Sequence, residues 1–301
     1  MRAGHPAPVL GALVLVSLTG CVDQNLKQAR KDGIAVVLGD FDDITTSLVA
    51  LDIASEPWDG FIVQATYDPS DDRLQRGDLA LQAEALLTDT EGELDLDNYG
   101  TLFVSSGTRG LGATQYNDGT LPDDSIITNT EPLQADTCEF ATSAGLLVAT
   151  DWAYDLIEFC WPDAIEFVGD DTVIDAAQTG VAGSDVLATV NDEKLKADVG
   201  DAVTITYDYS AWSVIESVAA DTEVLLSGDI SYQPSSTEAA KTLTNVPLLV
   251  RFAAGNGQVV FSTFHLSAQN PTLQQAILLD GMDGLTRGGG STTDSGGASG
   301  S

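Results

Sequence analysis

Apolar residues in this chain come in short runs of two kinds, and the way the kinds alternate predicts the fold. Ile34-Ala-Val-Val-Leu38 is continuous, apolar and rich in β-branched residues, the pattern of a strand buried on both faces. Gly39-Asp40-Phe41-Asp42-Asp43 then turns into a helix with apolar positions at Ile44, Leu48 and Leu51. A second strand is predicted over 60–65 and a helix over 78–87, where Leu79, Ala83, Leu86 and Leu87 fall at helical spacing. Tyr99 to Val104 reads as a third strand running into Ser105-Ser106-Gly107. A helix over 139–144, a strand over 146–150 and a helix over 152–159 stopped by Pro162 complete the series. Strands alternating with helices predict an α/β sheet with right-handed crossovers.

The pattern changes after Ile165. Up to about Ile230 the chain has short alternating runs such as Ala202-Val-Thr-Ile-Thr-Tyr207 between Gly and Asp turns, which predicts a β-rich insertion over about 165–230. Pro247 to Phe252 and Gly257 to Phe264 form a hairpin around Gly255-Asn256-Gly257, and an amphipathic helix over 273–279 ends at Gly281. No internal repeat is present. The resulting division is a leader (1–20), a tether (21–32), one α/β domain (33–285) and a Gly/Ser-rich tail (286–301).

The leader has its own chemistry. Arg2 supplies a positive start, and the apolar run Val9 to Leu18 is shorter than the roughly 20 residues that span a bilayer. Leu18-Thr19-Gly20-Cys21 follows it as a lipobox, so a signal peptide is expected to leave Cys21 as a lipidated N-terminus. This predicts a bacterial cell-envelope protein held to the membrane through its lipid. Val22 rather than Asp follows the cysteine, which favours the outer over the inner membrane.

Charge then narrows the partners. Forty-six acidic residues against 12 basic give a net charge of −34, which excludes nucleic acid and anionic lipid surfaces as targets. Three readings of the excess stay open: a solvated acidic surface, oxygen ligands for calcium, or attraction of a basic partner. Cys138 and Cys160 flank an apolar strand on the helices beside it, so a disulfide and two buried thiols are both open.

Three segments carry a resemblance: Phe103-Val-Ser-Ser-Gly107, Gly145 to Tyr154, and Gly255 to His265. Together they resemble class I glutamine amidotransferase-like domains of flavodoxin-like fold, over about 34–170 and 222–282. The resemblance implies a mostly parallel sheet flanked by helices. Active members place a cysteine on a glycine-flanked turn between strand and helix, with a histidine and a glutamate two residues later as relay. Here that turn is Thr150-Asp151-Trp152, and His265 is followed by Leu266 and Ser267. Cys160 lies too far along the following helix to replace the missing cysteine. The resemblance therefore implies the fold and counts against glutaminase activity.

What remains is a set of candidate side chains. His265 is one of two histidines, the other being His5 in the leader, and is either a general base near Asp151 or a structural hydrogen-bonder. A histidine-rich zinc site is excluded. Asp151 is read as the cap of the helix beginning at Trp152, against a role as acid or nucleophile. Asp40, Asp42 and Asp43 stand at the C-terminal end of the first strand, where open α/β sheets bind ligands. They are either cation ligands or caps of the next helix. The loop Asp89 to Asp97 lacks the spacing of a calcium loop, and Gly107-Thr-Arg-Gly-Leu-Gly112 fits no phosphate loop. Trp152 and Tyr154 suit either a sugar platform or the core. The sequence thus favours a non-catalytic binding or structural module with an unidentified protein or glycan partner and no cofactor. Its rivals are a hydrolase of glycan or peptide using Asp151 or Asp42 with His265, and a calcium-dependent surface adhesin.

Overall fold

The computed structural model describes residues 33–39, 41–60, 81–82, 95–108, 131–169, 179–180, 185–209, 212–234 and 237–288. All of them belong to one compact unit, Lys31–Ser301. In chain order its first elements are β1 (Gly33–Leu38), α1 (Thr45–Ala50), β2 (Glu56–Asp59), β3 (Leu81–Gln82), β4 (Tyr99–Val104), α2 (Glu131–Ser143), β5 (Leu146–Thr150) and α3 (Tyr154–Cys160). Then come β6 (Ile165–Phe167), β7 (Thr179–Gly180), β8 (Asp185–Val190), α4 (Glu193–Val199), β9 (Ala202–Thr206) and β10 (Ile215–Val218). The chain closes with β11 (Glu223–Gln233), β12 (Lys241–Ala254), β13 (Gly257–Ser262) and α5 (Pro271–Gly288).

One sheet runs through the molecule in the order β3-β2-β1-β4-β5-β13-β12-β11-β8-β9, with β7 also on β11. From β3 to β13 every pair is parallel. From β13 to β9 every pair is antiparallel. This is an α/β fold with a parallel core flanked by helices and an antiparallel extension, the flavodoxin-like architecture. β1 shows why its sequence is apolar throughout. Ile34, Val36 and Leu38 face one core with α1 and α5, while Ala35 and Val37 face a second core with α2 and α3. Burial of both faces is what a central parallel strand requires.

The strand-rich stretch does not stand apart as a subdomain. β8, β9 and β11 carry the main sheet onward, and only β6 and β10 form a separate two-stranded sheet. The 14-residue β12 makes this extension, pairing with β13 on one side and β11 on the other.

Several expectations shift. The strand parallel to β1 is Glu56–Asp59 rather than 60–65, of which 61–65 lie outside the described residues. Leu81 and Gln82, expected in a helix, pair with Trp58 and Asp59 as a strand; side-chain spacing over so few residues could not separate the two periods. Most of the remaining helix expected over 78–87 lies outside the described residues. α2 begins eight residues before the expected 139, and α5 runs through Gly281 to Gly288, into the expected tail. α4 was not expected. Asp192 caps it by accepting from the amides of Lys194 and Leu195, and Gly200 ends it at φ 87°.

Candidate functional site

Four strands of the parallel core, β1, β4, β5 and β13, end side by side, and their C-terminal ends are joined by side-chain oxygens. Asp42, on the turn after β1, is 2% exposed. Its Oδ2 accepts from Thr150 Oγ1 at 3.0 Å and from the Leu266 amide at 3.2 Å. Its Oδ1 accepts from the Ser267 amide at 3.2 Å and from Ser267 Oγ at 2.5 Å. Thr150 Oγ1 in turn accepts from the Ser106 amide at 3.0 Å. The first turn is also zipped to the second, because the Phe41 amide donates to the Ser106 carbonyl at 3.2 Å. Asp42 therefore does not cap α1, and both its oxygens are taken up by Thr150, Leu266 and Ser267. Asp43 does serve the helix, accepting from the Thr45 amide at 3.0 Å and from its hydroxyl. Asp40 and Cys21 lie outside the described residues; of the three carboxylates expected at the end of the first strand, Asp42 locks the strand ends and Asp43 caps the helix. Among the described residues no three His, Cys, Asp or Glu side chains group to hold a metal ion.

Asp151 follows β5 directly and adopts φ 46°, a left-handed conformation uncommon outside glycine. Strand, strained residue and helix in that order make a nucleophile-elbow geometry. Asp151 does not cap the helix as expected: it is itself the first residue of the 3-10 turn Asp151–Ala153, and its carboxylate turns elsewhere. Oδ1 accepts from the Ser213 amide at 2.6 Å, and the Asp151 carbonyl accepts from Ser213 Oγ at 3.1 Å. Oδ2 lies 3.2 Å from His265 Nε2. The two atoms are close as an ion pair yet not aligned as a hydrogen bond, and neither has a hydrogen-bond partner. His265 Nδ1 meets Asp208 Oδ1 at 2.8 Å. Asp151, His265 and Asp208 thus form a row drawn from the end of β5, the turn after β13 and the turn after β9.

Burial defines the electrostatics of this row. Asp151 is 0% exposed and His265 3%. Desolvation raises the Asp151 carboxyl above its ordinary range, against the pull of His265 and Ser213. Burial alone would depress the imidazole, but the carboxylates of Asp151 and Asp208, with Asp42 beyond them, reverse this and hold it up at about 10. The His265 imidazole therefore keeps its proton above neutral pH. The Tyr207 phenol beside it, bonded to Thr263 Oγ1 at 2.8 Å, is pushed up by burial.

The segment after β9 lies over the elbow. Tyr207 stacks on Trp212 with centroids 3.9 Å apart, and Tyr209 stands edge-on to both His265 and Phe41. Gln269 fastens the turn carrying His265 to β9, donating to the Thr206 and His265 carbonyls and accepting from the Thr206 amide. Trp152 and Tyr154 are buried in the second core, so the sugar-platform reading is set aside. Cys138 and Cys160 form a disulfide joining α2 to the end of α3.

The sequence brings Asp42, Asp151 and His265 to one end of the sheet, as expected, but as buried groups rather than as an open ligand surface. Asp208 and Ser213 were missed. Both come from the strand-rich stretch, and nothing local in Tyr207-Asp208-Tyr209 or Trp212-Ser213 marks them as partners of residues far along the chain.

No family model and no curated protein matches this chain. Solved structures of similar course do. A protein provisionally assigned as part of a GMP synthase, from Thermoplasma acidophilum, is 9% identical, with 86% of this chain and 96% of that one covered at a TM-score of 0.48. A cytoplasmic protein from Salmonella typhimurium is 11% identical, covering 83% and 98% at 0.44. Another cytoplasmic protein, from Salmonella typhimurium LT2, is 13% identical, covering 85% and 98% at 0.43. At such identities the likeness concerns the fold and carries no activity across. Two of the three are named as cytoplasmic proteins and none as an envelope lipoprotein, so the envelope reading finds no support among them. The lipid anchor at Cys21, the membrane as partner, the outer-membrane location and the surface-adhesin role, all expected from the sequence, are thus not supported by the comparisons. Among the described residues no helix is long and apolar enough to cross a membrane.

Proposed function

We propose that this domain keeps an amidotransferase-like architecture without its covalent chemistry and serves as a non-catalytic module. One observation carries the reading: the elbow residue is Asp151, and its carboxylate is wholly buried and held by the Ser213 amide and His265. A nucleophile must reach a substrate carbon, and a base must reach a substrate proton within about 3 Å or through one water. Here those positions are filled by the chain itself. The Ser106 amide, beside the elbow, is likewise taken by Thr150 Oγ1. The row Asp151–His265–Asp208 then acts as a clasp that fixes the turn after β9 to the parallel core.

The test compares the wild-type chain with Asp151→Asn for release of ammonia from glutamine and for hydrolysis of nitrophenyl esters and glycosides. The expected result is no turnover above background in either protein. Asp151→Asn should also lose about 3 kcal/mol of stability, because the His265 charge would be left facing an amide. Turnover present in the wild type and abolished in Asp151→Asn would overturn the proposal.

A further inference from the structure

The disulfide stands in an unusual relation to the elbow. α3 has only seven residues, too few to persist on its own, and it begins directly after the 3-10 turn opened by Asp151. Its buried residues Tyr154, Leu156 and Ile157 hold it in the second core, against which Cys160 also packs, while Phe159 near its end is 46% exposed. Its end is also fastened covalently, since Cys160 is the final residue of α3 and is bridged to Cys138 within α2. Both cysteines are partly exposed rather than sealed in the core.

α2 is itself well anchored. Its Thr142 carbonyl accepts from the Asn256 amide of the turn between β12 and β13, and the Gly145 amide that follows it donates to the Phe140 carbonyl. One partner of the bridge is therefore fixed to the sheet, while the other closes a short helix whose opposite end carries the elbow.

We propose that the Cys138–Cys160 bridge is a redox-responsive tie, and that reducing it loosens α3 and transmits that loosening to Asp151 and its contacts. The reductant is a dithiol. It passes two electrons and two protons to the bridge, the S–S bond breaks, Cys138 and Cys160 leave as thiols, and the dithiol closes to its own disulfide. The site is a regulatory one, distinct from the clasp, and it stands whether or not the domain is free of catalysis.

The experiment is amide hydrogen exchange on the full chain, oxidised and then reduced by dithiothreitol, with intact mass reading the redox state. The expected result is a bridge present in the untreated protein. Reduction should then speed exchange of the amides of 151–160 at least tenfold, leave those of β1 and β4 unchanged, and be reversed by reoxidation. The double variant Cys138→Ser/Cys160→Ser should show the fast pattern under both conditions. Three results would overturn the proposal: free thiols in the untreated protein, unchanged exchange over 151–160 on reduction, or a uniform rise across the whole sheet. The last would mark a staple of global stability. Should the double variant not fold, the reversible reduction of the wild type decides alone.

Discussion

Both oxygens of Asp42 point into the protein, where they accept four hydrogen bonds from three residues. Replacing it by asparagine keeps the shape but turns one acceptor oxygen into a donor amide facing either the Ser267 amide and hydroxyl or the Thr150 hydroxyl and the Leu266 amide. Asp42→Asn is expected to cost about 2–4 kcal/mol, read as a lower urea midpoint, with no change in far-ultraviolet circular dichroism. His265 makes a second prediction. Its folded pKa of about 10 lies above the 6.5 of the unfolded chain, so its contribution is complete below pH 6.5 and is lost as pH rises through about 10. Stability should therefore fall between those two values, and the imidazole proton signals should show no titration through neutral pH. Asp208→Asn should bring that titration down toward neutrality. These roles were only half legible in the sequence. His265 could be chosen as the one histidine outside the leader and Asp151 by its place on the turn between strand and helix, but their partners Asp208 and Ser213 sit in a stretch whose position depends on pairings far away in the chain.

Strands were the most legible elements where both faces are buried. β1, β4 and β5 announce themselves because a central parallel strand has no polar face to interrupt it. β3 and α4 were not legible, the first for its shortness and the second because its capping by Asp192 and Gly200 marks boundaries around few apolar positions. Glycine placement makes a prediction at this scale. The hairpin between β12 and β13 is seated against the end of α2 so closely that a Cβ on Gly257 would lie 2.0 Å from the Ala141 carbonyl oxygen and 2.3 Å from that of Gly145. Backbone must move to admit it. Gly257→Ala is expected to lower the melting temperature by several degrees, on the order of 2 kcal/mol, since overpacking against backbone cannot relax by a rotamer change.

Taken whole, the molecule carries −34 charges, and only a handful of acidic groups are matched by ion pairs such as Arg251 with Glu223 and Asp192 among the described residues. Self-repulsion of this size disfavours the compact state and is screened by salt. Sodium chloride should raise the melting temperature progressively, and calcium chloride at matched ionic strength should add nothing further. A calcium-specific rise would instead reveal bound cations.

The order of strands along the sheet also dictates when this chain can fold. β13, near the end of the sequence, is the strand that closes the gap between β5 and β12, so residue 146 must wait for residue 258. Until β13 leaves the ribosome, β5 presents an apolar open edge, and the antiparallel extension has no sheet to extend. Such long-range closure makes for slow folding and an aggregation-prone nascent chain. The parallel core of this domain is therefore completed only once β13 is available to pair with β5.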